Sequence, residues 1–192
     1  QLRLALSVPH SRRDVAVGKF VGRSVVFTAP TVLALCLAGG VAIALADGGV
    51  PWPWLPWFVG VTVLYGVAFV GLAVGVSLST ATGRRVTVGT IGAYLVTVVL
   101  WEDLHTAVLL LLHRFDTAVT NDMPGWALFV RLVAPSESFD LLVRTGFAVG
   151  RAGRYADSGI AYVAWPAALG LLVAWTLVPV ALGYRRFETA DL

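Results

Sequence analysis

In this chain of 192 residues, 58% are hydrophobic and only 13% charged, and the mean hydropathy of +0.82 excludes an ordinary water-soluble domain. The formal net charge of +3 comes from basic residues gathered beside apolar runs, which speaks to orientation in a membrane and against nucleic-acid binding. One cysteine, Cys36, rules out an intrachain disulfide and a cysteine metal cluster.

The leader, residues 1–23, divides at Pro9, which biases its neighbour away from helix. Ser11 is a plausible N-cap for a helix opening Arg12-Arg13-Asp14. Val15, Phe20 and Val21 then alternate with Arg12, Arg13 and Lys19 in a short amphipathic pattern. Gly18 and Gly22 stand at a spacing that lets another helix approach closely. The plainest reading of such a segment is a helix lying on anionic lipid.

Four apolar runs follow, at 24–46, 57–79, 86–112 and 162–183. About 20 residues at 1.5 Å each cross a ~30 Å hydrocarbon layer. Ala44-Leu45-Ala46 imitates a signal-peptide cleavage site, but the run before it is too long and begins too late. Gly71 and Gly75 in the second run point to span-to-span packing. Glu102, Asp103 and His105 interrupt the third run and would be costly at mid-bilayer. The crossing is therefore placed at 86–101, and 106–112 becomes an interfacial or re-entrant piece.

Arginine and lysine set orientation, and acids hardly count. The leader carries Arg3, Arg12, Arg13, Lys19 and Arg23, and the 47–56 connection has no basic residue and three tryptophans at or beside it, Trp52, Trp54 and Trp57. Arg84 and Arg85 mark the next turn, and Arg185 and Arg186 mark the tail. Leader inside, first connection outside, second turn inside, residues 102–161 mostly outside and tail inside is the consistent solution. It puts both the N-terminal segment and the C-terminus in the cytoplasm of a multi-pass cell-membrane protein.

The outer segment reads as two short interfacial helices. Asn121 or Asp122 can cap one opening at Pro124, and Ser136 or Ser138 can cap another after Pro135. In the second, Phe139, Leu142, Val143 and Phe147 share a face opposite Asp140, Arg144 and Arg151.

Chemistry has few carriers. Glu102, Asp103, His105 and His113 are the candidates for a metal or proton site: Glu102 and His105 have the i, i+3 spacing of a di-iron helix and His113 lies eight residues beyond His105, but such a site needs a second Glu-x-x-His and two more glutamates. Glu102, Asp103 and His105 could instead line a polar vestibule or anchor a span end. Gly18-Lys19 lacks the glycine and the Ser/Thr of a P-loop, and no nucleophile–base arrangement can be assembled. An enzyme with its own nucleotide, metal or cofactor site has little support.

The stretch Leu4-Ala-Leu-Ser-Val-Pro-His-Ser-Arg-Arg-Asp-Val-Ala-Val-Gly-Lys-Phe-Val-Gly-Arg23 resembles the cytoplasmic segment of ABC transporter permeases of the exporter-type superfamily. There an apolar-Ser-x-Pro-x-Ser-Arg-x-(acid)-x-x-x-Gly-Lys pattern precedes the third of six spans. The tail from Gly183 through Tyr-Arg-Arg-Phe to Leu192 and the outer 124–126 and 134–138 pieces are similar to that family too. The arginine-rich, lysine-poor flavour resembles halophilic archaeal members. The resemblance implies an all-α integral membrane permease domain over 1–192: the last four of six transmembrane helices, a cytoplasmic amphipathic coupling helix and short extracytoplasmic interfacial helices. It also implies that two further spans precede Gln1.

By the same resemblance, Pro9, Ser11, Arg12, Arg13, Asp14 and Lys19 couple the spans to a separate ABC-type ATPase subunit. The charged groups would make charge-assisted contacts and Gly18 and Gly22 would pack tightly to pass on force. A second permease copy or homologue and membrane lipid complete the implied partners, with no cofactor, no metal and no nucleic acid. The rival readings are a non-transporting assembly or anchoring subunit and, behind it, a membrane-embedded metal enzyme.

Overall fold

The computed structural model describes residues 12–45, 54–80, 82–147, 155 and 159–189, and every regular element among them is helical. The elements are α1 (Arg12–Leu45), α2 (Trp54–Ser79), α3 (Gly83–Tyr94), a π-helical stretch (Leu95–Val99) and α4 (Trp101–Leu112), followed by α5 (Ala118–Asn121), α6 (Gly125–Leu132), α7 (Pro135–Phe147), a 3-10 turn (Ala161–Val163) and α8 (Trp165–Thr189). Three of them, α1, α2 and α8, are long and apolar enough to span a bilayer. The Gly83–Val99 and Trp101–Leu112 pieces, bent by 58° at their junction, form a broken span or re-entrant hairpin. The fold is an all-α integral membrane protein.

Contacts fix the directions. Near its start α1 packs Ala16 with Val74 and Leu78 of α2, and near its end Gly39 lies against Leu55, so α1 and α2 are antiparallel. In α8, Ala168 and Leu172 join Val61 of α2, while Pro179 and Gly183 meet Gly75, so α2 and α8 run side by side in one direction. Midway along α3, Gly89 lies beside Val76, and at its end Tyr94 stands edge-on to Phe69, at 5.7 Å between ring centroids. The bundle thus has an elbow end, where α1 starts and α2 and α8 finish. Its opposite, hairpin end carries α4 to α7.

Two clusters make the core, one per end. At the elbow end Ala16, Val74 and Leu78 are buried, with Phe20, Val180, Tyr184 and Phe187 packed on them. At the hairpin end Leu128 and Leu132 of α6 and Leu141 and Leu142 of α7 close over Val61, Val163, Ala168 and Leu172. Between these poles α2 and α8 touch backbone to backbone. A Cβ on Gly71 would overlap the Thr176 carbonyl, one on Gly75 the Pro179 carbonyl, and one on Gly183 the Gly75 carbonyl. Hydrocarbon supplies no hydrophobic drive between spans, so such close backbone approach is a principal source of cohesion.

The helix boundaries differ from the sequence reading in ways the physics explains. The described part of the expected coupling segment, from Arg12, and the first span are one unbroken helix, α1, of 34 residues. At 1.5 Å per residue that is about 50 Å, so it overhangs a ~30 Å hydrocarbon layer by several turns. Pro30 lies inside α1 and Pro179 inside α8 without ending either helix; in a bundle, neighbouring groups satisfy the carbonyl a proline frees. An added Cβ on Gly18 or Gly22 meets nothing within 4 Å, so no described helix approaches there. Pro9, Ser11 and the side chain of Arg12 lie outside the described residues.

At the other end, α6 and α7 need no side-chain caps of the kind expected. Pro124 occupies the N-cap of α6, and α7 opens at Pro135 itself. Helix α7 packs between the hairpin-end halves of α2 and α8 and does not merely rest on them, with Tyr65 stacked on Phe139 at 4.6 Å, and Trp175 reaches Val133 at the α6–α7 junction.

Candidate functional site

Two places combine charge with tight packing, the elbow and the hairpin. At the elbow, Ala16 and Phe20 turn inward, and Lys19 Nζ donates to Ser77 Oγ at 2.7 Å. The inner face of α1 is thereby joined to the last turns of α2, and through Tyr184 and Phe187 to those of α8. The opposite face, with Val15, Val17, Gly18, Val21 and Gly22, is exposed, as are Arg13 and Asp14. Asp14 sits in the first turn, where the helix dipole favours a negative charge. One face of the start of α1 is thus joined to the bundle and the other is exposed.

The hairpin is built around a helix break that no proline or glycine marks. The run Leu95–Val99 is mostly β-branched and π-helical, and Leu100 N donates back to Leu95 O at 2.9 Å. After the break, α4 starts with Glu102 and Asp103 in its first turn, again suited to the dipole. The last carbonyls before a break lack helical partners; here Ser136 Oγ of α7 donates to Thr97 O at 3.2 Å.

The junction of α6 and α7 solves the same problem with side chains. Pro135 has no N–H to give, so the last carbonyls of α6 need other donors. Trp101 Nε1 donates to Arg131 O at 3.2 Å, Ser138 Oγ to Leu132 O at 2.6 Å, and Trp175 Nε1 to Val133 O at 2.8 Å. Three consecutive carbonyls thus tie α4, α7 and α8 to one corner. Ser138 is fully buried. Ser138→Ala is therefore expected to cost about 1–3 kcal/mol, because it strands a buried acceptor; thermal unfolding in detergent measures it.

Arg131 organises this corner. It is 1% exposed, yet its guanidinium pairs with Glu102 and, through Nε at 2.8 Å, with Glu137 Oε1. Tyr155 Oη donates to Glu137 Oε2 at 2.8 Å. Burial disfavours the Arg131 charge, but hydrogen bonds and charge from Glu102 and Glu137 outweigh it, and the pKa lies above the usual arginine value. The two carboxylates differ: the Glu102 side chain is 61% exposed and that of Glu137 only 15%. The Glu137 pair is the stronger tie.

The expected vestibule residues do not converge. Glu102 and Asp103 are exposed at the start of α4, whereas His105 is buried with Nε2 2.9 Å from Ala127 O. Since a carbonyl only accepts, Nε2 carries the proton and His105 pins α4 to α6. Among the described residues no three His, Cys, Asp or Glu side chains gather as metal ligands would. Arg131, Glu137 and Tyr155 went unnoticed in the sequence. The signal was there in part: one arginine inside the otherwise apolar 125–132 stretch, with a glutamate six residues on.

No curated protein matches the chain. The family model for an ABC-2 family transporter protein matches residues 2–192, nearly the whole length, and agrees with the long apolar helices. The chain belongs to the ABC-2 family of ABC transporter membrane proteins.

Proposed function

We propose that this chain is the membrane-spanning half of an exporter-type permease in which the elbow of α1 receives the stroke of a separate ATPase subunit. Family membership supports the permease role, and membrane proteins of this kind are transport components that leave ATP hydrolysis to a partner. The observation that carries the reading is the two-faced elbow. Ala16, Lys19 and Phe20 bind it to the ends of α2 and α8, while Arg13, Val17 and Gly18 are exposed. A push on the open face is passed to three spans at once. In the family resemblance Pro9, Ser11 and Arg12 belong to the same docking surface. The elbow and the tail after α8 face the cytoplasm in this reading, and a second permease copy or homologue completes the pathway. Glu102 and Asp103 form the polar mouth at the far end, with His105 in a supporting role. The substrate is moved by alternating access.

Charge reversal at Arg12 and Arg13 tests the docking role. The double variant is expected to lower permease-stimulated ATP hydrolysis at least severalfold while the unfolding midpoint of the permease stays put. Unchanged stimulation would remove the docking assignment.

A further inference from the structure

Beside the Arg131 corner lies a cleft of about 170 Å³ between α4 and α6. Trp101, Leu104, His105 and Val108 form one wall, and Trp126 and Val130 the other. The surface it exposes is apolar throughout. The reason is visible in the hydrogen bonds. Trp101 spends its indole N–H on Arg131 O, and His105 sends Nε2 to Ala127 O, so ring faces are what these two present to the cleft.

We propose that this cleft seats one acyl chain of a membrane phospholipid, in the leaflet at the hairpin end. Three observations select that occupant. The walls of the slot give water no hydrogen-bond partner, so hydrocarbon fills it more favourably than water does. The slot is also far too small for a helix, whose diameter with side chains is about 10–12 Å, so a neighbouring span or a second copy of the chain could insert no more than a side chain. Finally, the slot is not sealed. Leu104, Val108, Trp126 and Val130 are each about half exposed, and the apolar surface runs on along α4 through Leu111 and Leu112. That surface belongs to a chain whose spans already face hydrocarbon, so the cleft is a continuation of the lipid interface. The two tryptophans at its rim are the residue type that settles at the level of the headgroups.

A chain lodged there would pack against both sides of the broken span, bracing α4 on α6 from the lipid side while Trp101 and His105 brace it from within. The site does not depend on ATPase coupling, and the occupant is a structural lipid and not cargo.

The test uses the full permease in phosphatidylcholine vesicles doped with a phosphatidylcholine that carries a diazirine midway along one acyl chain. After photolysis, adducts are mapped by peptide mass spectrometry. Leu33 and Leu37 of α1 are more exposed than any of the four rim residues and report ordinary lipid contact. Adducts on 101–109 and 126–130 are expected to exceed those on Leu33 and Leu37 severalfold. Val130→Trp and, from the opposite wall, Val108→Trp should each fill the slot and bring its labelling down to the α1 level, with α1 labelling unchanged as the sign of a folded bundle. Labelling in the cleft no higher than at Leu33 and Leu37 would overturn the proposal, and so would enrichment that survives both filling variants. A photo-reactive amino acid placed at position 104 that joins two copies of the protein and captures no lipid would overturn it as well.

Discussion

Arg131→Met is expected to destabilise the protein by about 3–5 kcal/mol, the cost of removing one partner from a buried ion pair. The variant keeps the length of the side chain and removes its charge, leaving Glu137 inside the corner with only Tyr155 as a described partner. The two acidic partners should respond unequally. Glu102 is mostly exposed, so Glu102→Gln should change stability by no more than about 1 kcal/mol. Glu137→Gln should cost clearly more, because its carboxylate is mostly buried and holds both Arg131 and Tyr155. A combined Arg131→Met, Glu137→Leu variant should recover part of the loss, since an apolar pair can replace a buried ionic one. Unfolding midpoints of the four variants in one detergent decide the matter. Equal effects at Glu102 and Glu137, or a harmless Arg131→Met, would show that the corner is not held by this pair.

The second large effect is expected at the seam of α2 and α8. Gly75→Leu should cost about 3 kcal/mol or more, because the atoms that a side chain would strike are the Pro179 backbone, which cannot swing aside. Gly71→Leu, aimed at the Thr176 carbonyl, should behave alike. Gly18→Leu and Gly22→Leu are the controls. Their Cβ positions are open, and leucine favours helix over glycine, so neither should lower the unfolding midpoint. A Gly75→Leu protein as stable as the wild type would mean that the two spans do not touch at this seam.

These two regions show what the sequence could and could not reveal. Gly71 and Gly75 advertised a packing seam through spacing alone, and the seam exists; Gly18 and Gly22 have the same spacing and face open space. Spacing reports what a helix face permits, and only the neighbours decide whether anything uses it. The spans were legible because apolar length is a local property. The break at Leu100 was legible only indirectly, through the acids that follow it, since β-branched residues and not a proline or glycine occupy the π-helical turn. The end of α4 hid in the same way. Arg114 and Phe115 take the left-handed conformation that glycine customarily supplies, at φ 54 and 65°, with Phe115 N bonded to Leu110 O at 2.7 Å. The Arg131 corner was hardest to foresee. Its members come from α4, α6, α7 and the Tyr155 region, and a lone arginine in a short apolar helix does not name its partners. Glu102 and His105 drew notice as a pair by their i, i+3 spacing, yet each is engaged elsewhere, with Arg131 and with Ala127.

The docking role we propose for the elbow of α1 is tested most directly by cross-linking from its exposed face. Val17 is half exposed and lies away from the face joined to α2 and α8. With a photo-reactive amino acid at that position, illumination of native membranes should join the permease to a P-loop ATPase subunit, and the yield should change when nucleotide is added. If that ATPase co-purifies with the permease but the position 17 probe captures only lipid, with or without nucleotide, the elbow is not where the motor acts.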